Sequence, residues 1–252
     1  MESRRISQKQ RRISRNISMS DKNSYIAIIP ARGGSKRLPG KNLMSIAGKP
    51  LISWTIDAAI KSGVFKRVIV STDSEEIAEI ARADGAEVPF LRPSDLSGDH
   101  TSTVEVLNHA LVELTKGSDN SYTHLACLQP TSPLRKPEDI IKAAEFLEEK
   151  NADAIISVCK NEHSPLWSNV LPEDKNMEGF LDGRIQKTPS QELPEYYRLN
   201  GALYICDIPR FIQEQTLFLS TNIYAYVMSR KSSIDIDDEV DFDLAQIYLS
   251  RS

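Results

Sequence analysis

From about residue 24 onward, short β-rich apolar runs alternate with stretches of helical period. Runs at 25–29, 67–71, 123–128, 154–158, 202–205 and 224–228 read as strands. Between them, Asp73 and Glu76 predict a capping box for a helix with Ile77, Ile80 and Ala81 on its apolar face and Gly85 at its end. Val104, Leu107, Leu111 and Leu114 mark a second helix, Pro137 with Ile140, Ile141, Ala144 and Leu147 a third, and 238–248 a last one. This alternation predicts an α/β fold, a three-layer, mostly parallel sheet flanked by helices. Between Cys159 and Ala202 the pattern breaks into short polar and proline-containing pieces. A connection that long without regular structure is uncommon unless it serves a purpose. The segment at about 160–200 is therefore expected to be an excursion that covers a site or docks onto a second subunit.

Composition narrows the class. The chain has 252 residues, 40% hydrophobic and 26% charged, enough for a sizeable core in one or two domains. No apolar run approaches the roughly 20 residues that span a bilayer, so a membrane protein is not expected. Cys127, Cys159 and Cys206 are odd in number and far apart, which fits neither a zinc site nor a disulfide framework and predicts reduced cytoplasmic thiols. The net charge of −4 conceals an asymmetry: residues 1–20 carry six basic side chains against Glu2, a balance of +5, leaving −9 for the rest. A basic extension over 1–22 is expected to be disordered, followed by one domain over 23–252. Met19 reads as a natural start, and the arm lacks the apolar core of a secretory signal, although its Arg- and Ser-rich character is shared with transit peptides. The acidic body argues against nucleic acid as the main partner.

The first strand candidate runs into YIAIIPARGGSKRLPGKN, where Arg32, Lys36, Arg37 and Lys41 are interrupted by Gly33, Gly34, Pro39 and Gly40. Glycines let backbone amides approach phosphate oxygens, and the cations neutralise charge at a phosphorus centre; a solvated basic turn is the plain alternative. The NTPase phosphate loop fails on spacing, since Gly40-Lys41 is preceded five positions earlier by Ser35 and followed by Asn42. The Gly-x-Gly-x-x-Gly dinucleotide pattern is absent as well.

Near the end of the chain, Asp235-Ile236-Asp237 would aim two carboxylates at one spot if extended, with Ile234 and Ile236 packing behind. Beside a phosphate loop such a pair suits Mg²⁺; otherwise it is an acidic edge in which Asp237 or Asp238 caps the final helix. Gln129, within Leu128 to Arg135 at the carboxyl end of a central strand, is placed either for a substrate hydrogen bond or in a proline-stiffened turn.

Taken in order, IIPARGGSKRLPGKN, VSTD, LRP, LQPTSPLR, YYRLNGALYI and SIDIDDEVDF resemble the CMP-sialic acid synthetase (acylneuraminate cytidylyltransferase) family from about Tyr25 onward. The resemblance implies a Rossmann-like nucleotidyltransferase fold, a homodimer, a requirement for Mg²⁺, and transfer of CMP from CTP to a nonulosonic acid with release of pyrophosphate. It implies Arg32 and Lys41 as triphosphate and transition-state cations assisted by Lys36 and Ser35. Ala31 and Gly33 of the same loop, with Asn42, Arg92 and Ser102, would then serve the nucleotide. Gln129, Tyr204 and Arg198 would serve the sugar, and Asp235 with Asp237 the metal.

Two positions depart from that family. Where it often carries an arginine and a lysine lent by the partner subunit to the sugar, this chain has Ser190 and Trp167, with Lys187 or Arg198 able to compensate. Legionaminic acid or another diacetamido nonulosonate is therefore a competitor to N-acetylneuraminic acid. A Kdo cytidylyltransferase, similar to Leu-Gln-Gly-Asp at the central strand, fits less well than the Leu128-Gln129-Pro130-Thr131 found here. A nucleotide sensor without catalysis would have no use for Lys41, Asp235 and Asp237 together.

Overall fold

Continuous burial along the first strand sets the architecture. In β1 (Tyr25–Pro30), Tyr25, Ala27 and Ile29 pack into one apolar cluster while Ile26 and Ile28 pack into another, so both faces of the strand are covered. The structure, a computed structural model, describes residues 23–34, 38–116 and 122–251. The extension expected over 1–22 lies outside the described residues.

Two short strands, β2 (Ser45–Ile46) and β3 (Lys49–Pro50), form a small hairpin. The remaining strands are β4 (Phe65–Ser71), β5 (His124–Cys127), β6 (Ala154–Lys160), β7 (Tyr197–Asp207) and β8 (Ile223–Met228). With β1 they make one six-stranded sheet in the order β4-β1-β5-β7-β6-β8. All neighbours are parallel except β7, which runs antiparallel to both β5 and β6. The expectation of a mostly parallel sheet holds, and the reversed strand is the exception within it.

The helices are α1 (Leu51–Ser62), α2 (Glu75–Ala83), α3 (Thr103–Thr115), α4 (Pro137–Lys150), α5 (Ile208–Glu214) and α6 (Glu239–Ser250). Helices α1, α2 and α4 bury Ile52, Ile56, Ile77, Ile140 and Leu147 against one face; α3 and α5 bury Leu107, Leu111 and Phe211 against the other. A third cluster joins α6, through Ala245 and Leu249, to Leu38, Ile46, Leu51 and Ile236. Each such buried side chain contributes about 1.5–3 kcal/mol relative to exposure, which is what holds helices of this length in place.

The helices differ from expectation at α1, α2 and α5. Ser74, not Asp73, caps α2 by accepting from the Ile77 amide, because Asp73 is engaged elsewhere. Helix α1 was not anticipated: Ser53 and Thr55 lie on its buried side and blur the apolar stripe. Cys127, Cys159 and Cys206 are buried and unpaired in strands, and burial pushes the Cys127 and Cys206 thiols up to about 12. The excursion is a chain of turns over residues 161–196 between β6 and β7, mostly exposed, and closed at its neck by the Asn161 amide donating to the Tyr196 carbonyl at 2.8 Å. No helix among the described residues is long and apolar enough to cross a membrane.

Candidate active site

From β1 the chain crosses toward the β4 edge of the sheet, and from β5 toward the β8 edge, so a crevice opens at the carboxyl ends of these strands, where open α/β sheets bind ligands. A cleft of about 490 Å³ lies there. Arg32, Lys41, Asn42, Arg92, Gln129, Asp235 and Asp237 all line it. The cations from the start of the chain and the carboxylates from its end thus share one space.

The loop is held at both ends. Asn42, 4% exposed, donates its side-chain amide to the Arg32 carbonyl at 3.0 Å, which ties the two limbs together. Gly40, at φ 65°, turns the chain into the short 3₁₀ segment Lys41–Leu43, a backbone conformation that glycine adopts without penalty. The Gly33 amide donates to Asp73 Oδ1 at 2.9 Å, which accounts for the displaced helix cap. Ala31 is buried and spends its amide on the Ser71 carbonyl, so it supports the loop from behind and does not line the cleft; Gly33 does not line it either. Ser35 and Lys36 lie outside the described residues.

Lys41 Nζ donates to the Ile236 carbonyl at 2.9 Å and stands 3.7 Å from Asp237 Oδ1. Arg32 pairs with Asp99 at 2.9 Å across the cleft. Arg92, 5% exposed, sits 3.8 Å from Asp73 and leaves its Nε without a partner; burial lowers its proton affinity, and Asp73 opposes that. Its ordinary pKa is high enough to keep it charged.

Residues 234–236 belong to no strand and a bend follows at Asp237 and Asp238, yet the alternation predicted for Asp235 to Asp237 persists. Ile236 is buried in the third cluster and donates its amide to the Thr131 carbonyl at 2.8 Å, while Asp235 and Asp237 face the cleft and Asp238 caps α6. Burial raises the Asp235 carboxyl, a Thr131 hydrogen bond partly offsets this, and Asp237 adds like-charge repulsion. Asp235 Oδ1 is buried with no hydrogen-bond partner. An orphaned carboxylate oxygen beside a second carboxylate fits Mg²⁺, which takes one or two carboxylates and completes its shell with water and phosphate. No group of three or more potential metal ligands occurs among the described residues, which argues against a dedicated protein cage.

Three expected site residues lie elsewhere. The Ser102 side chain is used in the capping box of α3 with Glu105, and its neighbours Thr101 and Thr103 line the cleft in its place. Tyr204 packs into the second cluster, edge-on to Phe218, because its position on β7 faces the α3 side of the sheet. Arg198 sits exposed where β7 emerges from the excursion and does not reach the cleft. Trp167 and Ser190 line a separate hollow of about 220 Å³ within the excursion, and no residue of 161–196 lines the main cleft.

Gly201 was missed, although a lone glycine inside a strand run signals close approach of another group. Its φ is +70°, and a Cβ there would lie 2.7 Å from Gln129 Oε1 and 3.4 Å from Asp235 Oδ2. Gly201→Ala is expected to lower Tm by a few degrees, from the roughly 1–2 kcal/mol cost of a left-handed non-glycine residue. A crystal structure of the variant should show Gln129 pushed aside; an unmoved Gln129 would contradict the packing described.

Comparison with known proteins follows the same lines. A family model described as cytidylyltransferase matches residues 26–234. The chain is 35% identical over 222 residues to the pseudaminic acid cytidylyltransferase of Campylobacter jejuni, covering 88% of this chain and 94% of that one. It is 37% identical over 224 residues to the CMP-N,N'-diacetyllegionaminic acid synthase of Legionella pneumophila, with 88% and 94% covered. It is 38% identical to the N-acylneuraminate cytidylyltransferase of Escherichia coli over 87% of this chain, spanning 51% of that longer protein. Among solved structures, a CMP:2-keto-3-deoxy-manno-octonic acid synthetase complexed with CTP matches with a TM-score of 0.67 over 91% of this chain and 99% of the other; at 18% identity this likeness concerns the fold alone.

Proposed function

This chain belongs to the cytidylyltransferase family, and from that premise we propose that it joins CTP to a nonulosonic acid, giving the CMP-sugar and pyrophosphate. The observation that carries this reading is the shared cleft, in which Arg32 and Lys41 face Asp235 and Asp237. In such a transfer a sugar hydroxyl attacks the α-phosphorus in line, and the protein's task is positioning and charge neutralisation. In this reading Arg32 and Lys41 bind the triphosphate, and Lys41 is the cation that answers charge developing on the phosphorus. Arg92 and Asn42 supply buried polar groups for the base, and both keep an unpaired side-chain atom, Nε and Oδ1 respectively, for a ligand to engage. Asp235 and Asp237 would hold Mg²⁺, whose charge, when bound, offsets that of the phosphates. Gln129 is the candidate for the sugar.

Purified protein supplied with CTP, Mg²⁺ and a panel of nonulosonic acids tests the proposal. Pyrophosphate release and a CMP adduct by mass are expected; no release with any of these acids would overturn it. The three sugars named for the relatives do not single one out. The 37% identity to a CMP-N,N'-diacetyllegionaminic acid synthase, with Trp167 standing where the family often lends a cation across a dimer, supports a less hydroxylated diacetamido sugar as the second reading.

Exposed Val170, Leu171 and Met177 on the excursion support a homodimer, and the buried unpaired thiols support a reducing compartment such as the cytoplasm. Asp99, paired with Arg32 at 2.9 Å, would compete with phosphate for that guanidinium. Asp99→Asn is therefore expected to tighten CTP binding by up to roughly fivefold, the scale of a partly exposed ion pair; calorimetry showing unchanged or weaker binding would refute the competition.

A further inference from the structure

Arg135 is 2% exposed, and its guanidinium lies in the interior among α1, the turn after β5, and β7. No carboxylate among the described residues pairs with it. Its Nη1 donates to the Ala202 carbonyl at 2.6 Å and to the Gln129 carbonyl at 3.2 Å, its Nη2 donates to Thr55 Oγ1 at 2.6 Å, and its Nε has no partner. Desolvation lowers its proton affinity to about 10, which leaves it charged at neutral pH. A buried, unpaired cation is costly, and an apolar side chain of the same volume would fill the space without that cost.

What the guanidinium holds explains its presence. Both carbonyls belong to segments that meet at Gln129: one is Gln129 itself, the other follows Gly201. The Thr55 hydroxyl adds a second donor to the Gln129 carbonyl at 3.4 Å. On the far side, the Gln129 side chain occupies the space that only a glycine at 201 leaves open. The backbone of Gln129 is thus clamped from within the core while its amide reaches the cleft.

We propose that Arg135 is a positioning residue, fixing Gln129 against Gly201 so that the amide meets the sugar substrate, with no part in nucleotide binding. The sugar assignment rests on the function proposed above; the clamp on Gln129 does not. Lysine at 135 keeps the charge but cannot serve two carbonyls and a hydroxyl with one planar fork.

Two readouts in the full chain separate these statements. The Gln129 side-chain amide resonance, assigned by its loss in Gln129→Ala, should be dispersed in the wild type and move toward the random-coil position in Arg135→Lys and in the near-isosteric Thr55→Val. An unmoved resonance in both variants would overturn the clamp, and Thr55→Val carries the test if Arg135→Lys does not fold. In turnover, Arg135→Lys should lower kcat/KM for the sugar about tenfold, leave CTP affinity within about twofold, and add little to Gln129→Ala, as residues acting as one unit do. Additive losses, or an equal loss of CTP affinity, would overturn the positioning role. A wild type that turned over no nonulosonic acid would sink the functional reading while the resonance still judged the clamp.

Discussion

Lys41→Ala is expected to lower kcat by about 10²–10³, the usual loss when one preorganised transition-state donor is removed. The Lys41 ammonium is already fixed, by the Ile236 carbonyl at 2.9 Å and by Asp237 at 3.7 Å, so little reorganisation remains when charge develops on the phosphorus. Its side chain is 16% exposed, which leaves the interaction weakly screened. Without it, Asp237 would confront the triphosphate with one cation fewer to offset the repulsion. Steady-state kinetics with CTP varied at saturating sugar give the answer. A change confined to the KM for CTP would assign Lys41 to ground-state binding alone. Lys41→Arg should not restore the rate, because a planar fork cannot occupy the place of a compact point charge.

The second large effect concerns the carboxylate pair. Asp237→Ala is expected to abolish the Mg²⁺-dependent rate, and Asp235→Asn to do the same, because a metal that leans on two carboxylates loses half its protein contact with either. The two variants should differ in stability. Asp237 is largely exposed, and its removal should leave Tm near that of the wild type. Asp235 is largely buried, with one oxygen unpaired and a neighbouring like charge, so neutralising it relieves a cost to the fold. Asp235→Asn should melt no lower than the wild type, and a rise of a few degrees, about 1 kcal/mol, is expected. Bound Mn²⁺ measured by electron paramagnetic resonance in the presence of CTP supplies a readout independent of turnover. Full metal binding in both variants would remove Asp235 and Asp237 from that role.

Much of this was legible in the sequence because its signals are local. Strand runs, the Pro137 helix start, and the two-residue alternation of Asp235 and Asp237 depend on neighbours a few positions away. What escaped depends on partners far along the chain. Asp73 was read as a cap, but the Gly33 amide, 40 residues earlier, claims it. Thr55 interrupts the apolar stripe that would have announced α1, and the guanidinium it serves, Arg135, lies 80 residues later. The Ser102 capping box is itself a local signal, Ser-x-x-Glu, and it engages that hydroxyl at the helix start. The direction of β7 could not be read at all, since a strand's apolar pattern is the same whichever way its neighbours run.

That reversed strand has an evolutionary consequence. Because β7 returns alongside β6, residues 161–196 leave and re-enter the sheet at one narrow neck, on the edge where the cleft opens. Doubling the length of such a loop costs only about 0.6 kcal/mol, and no strand need change its register. Descendants can therefore exchange this segment wholesale while the strands and loops that form the cleft are inherited unaltered.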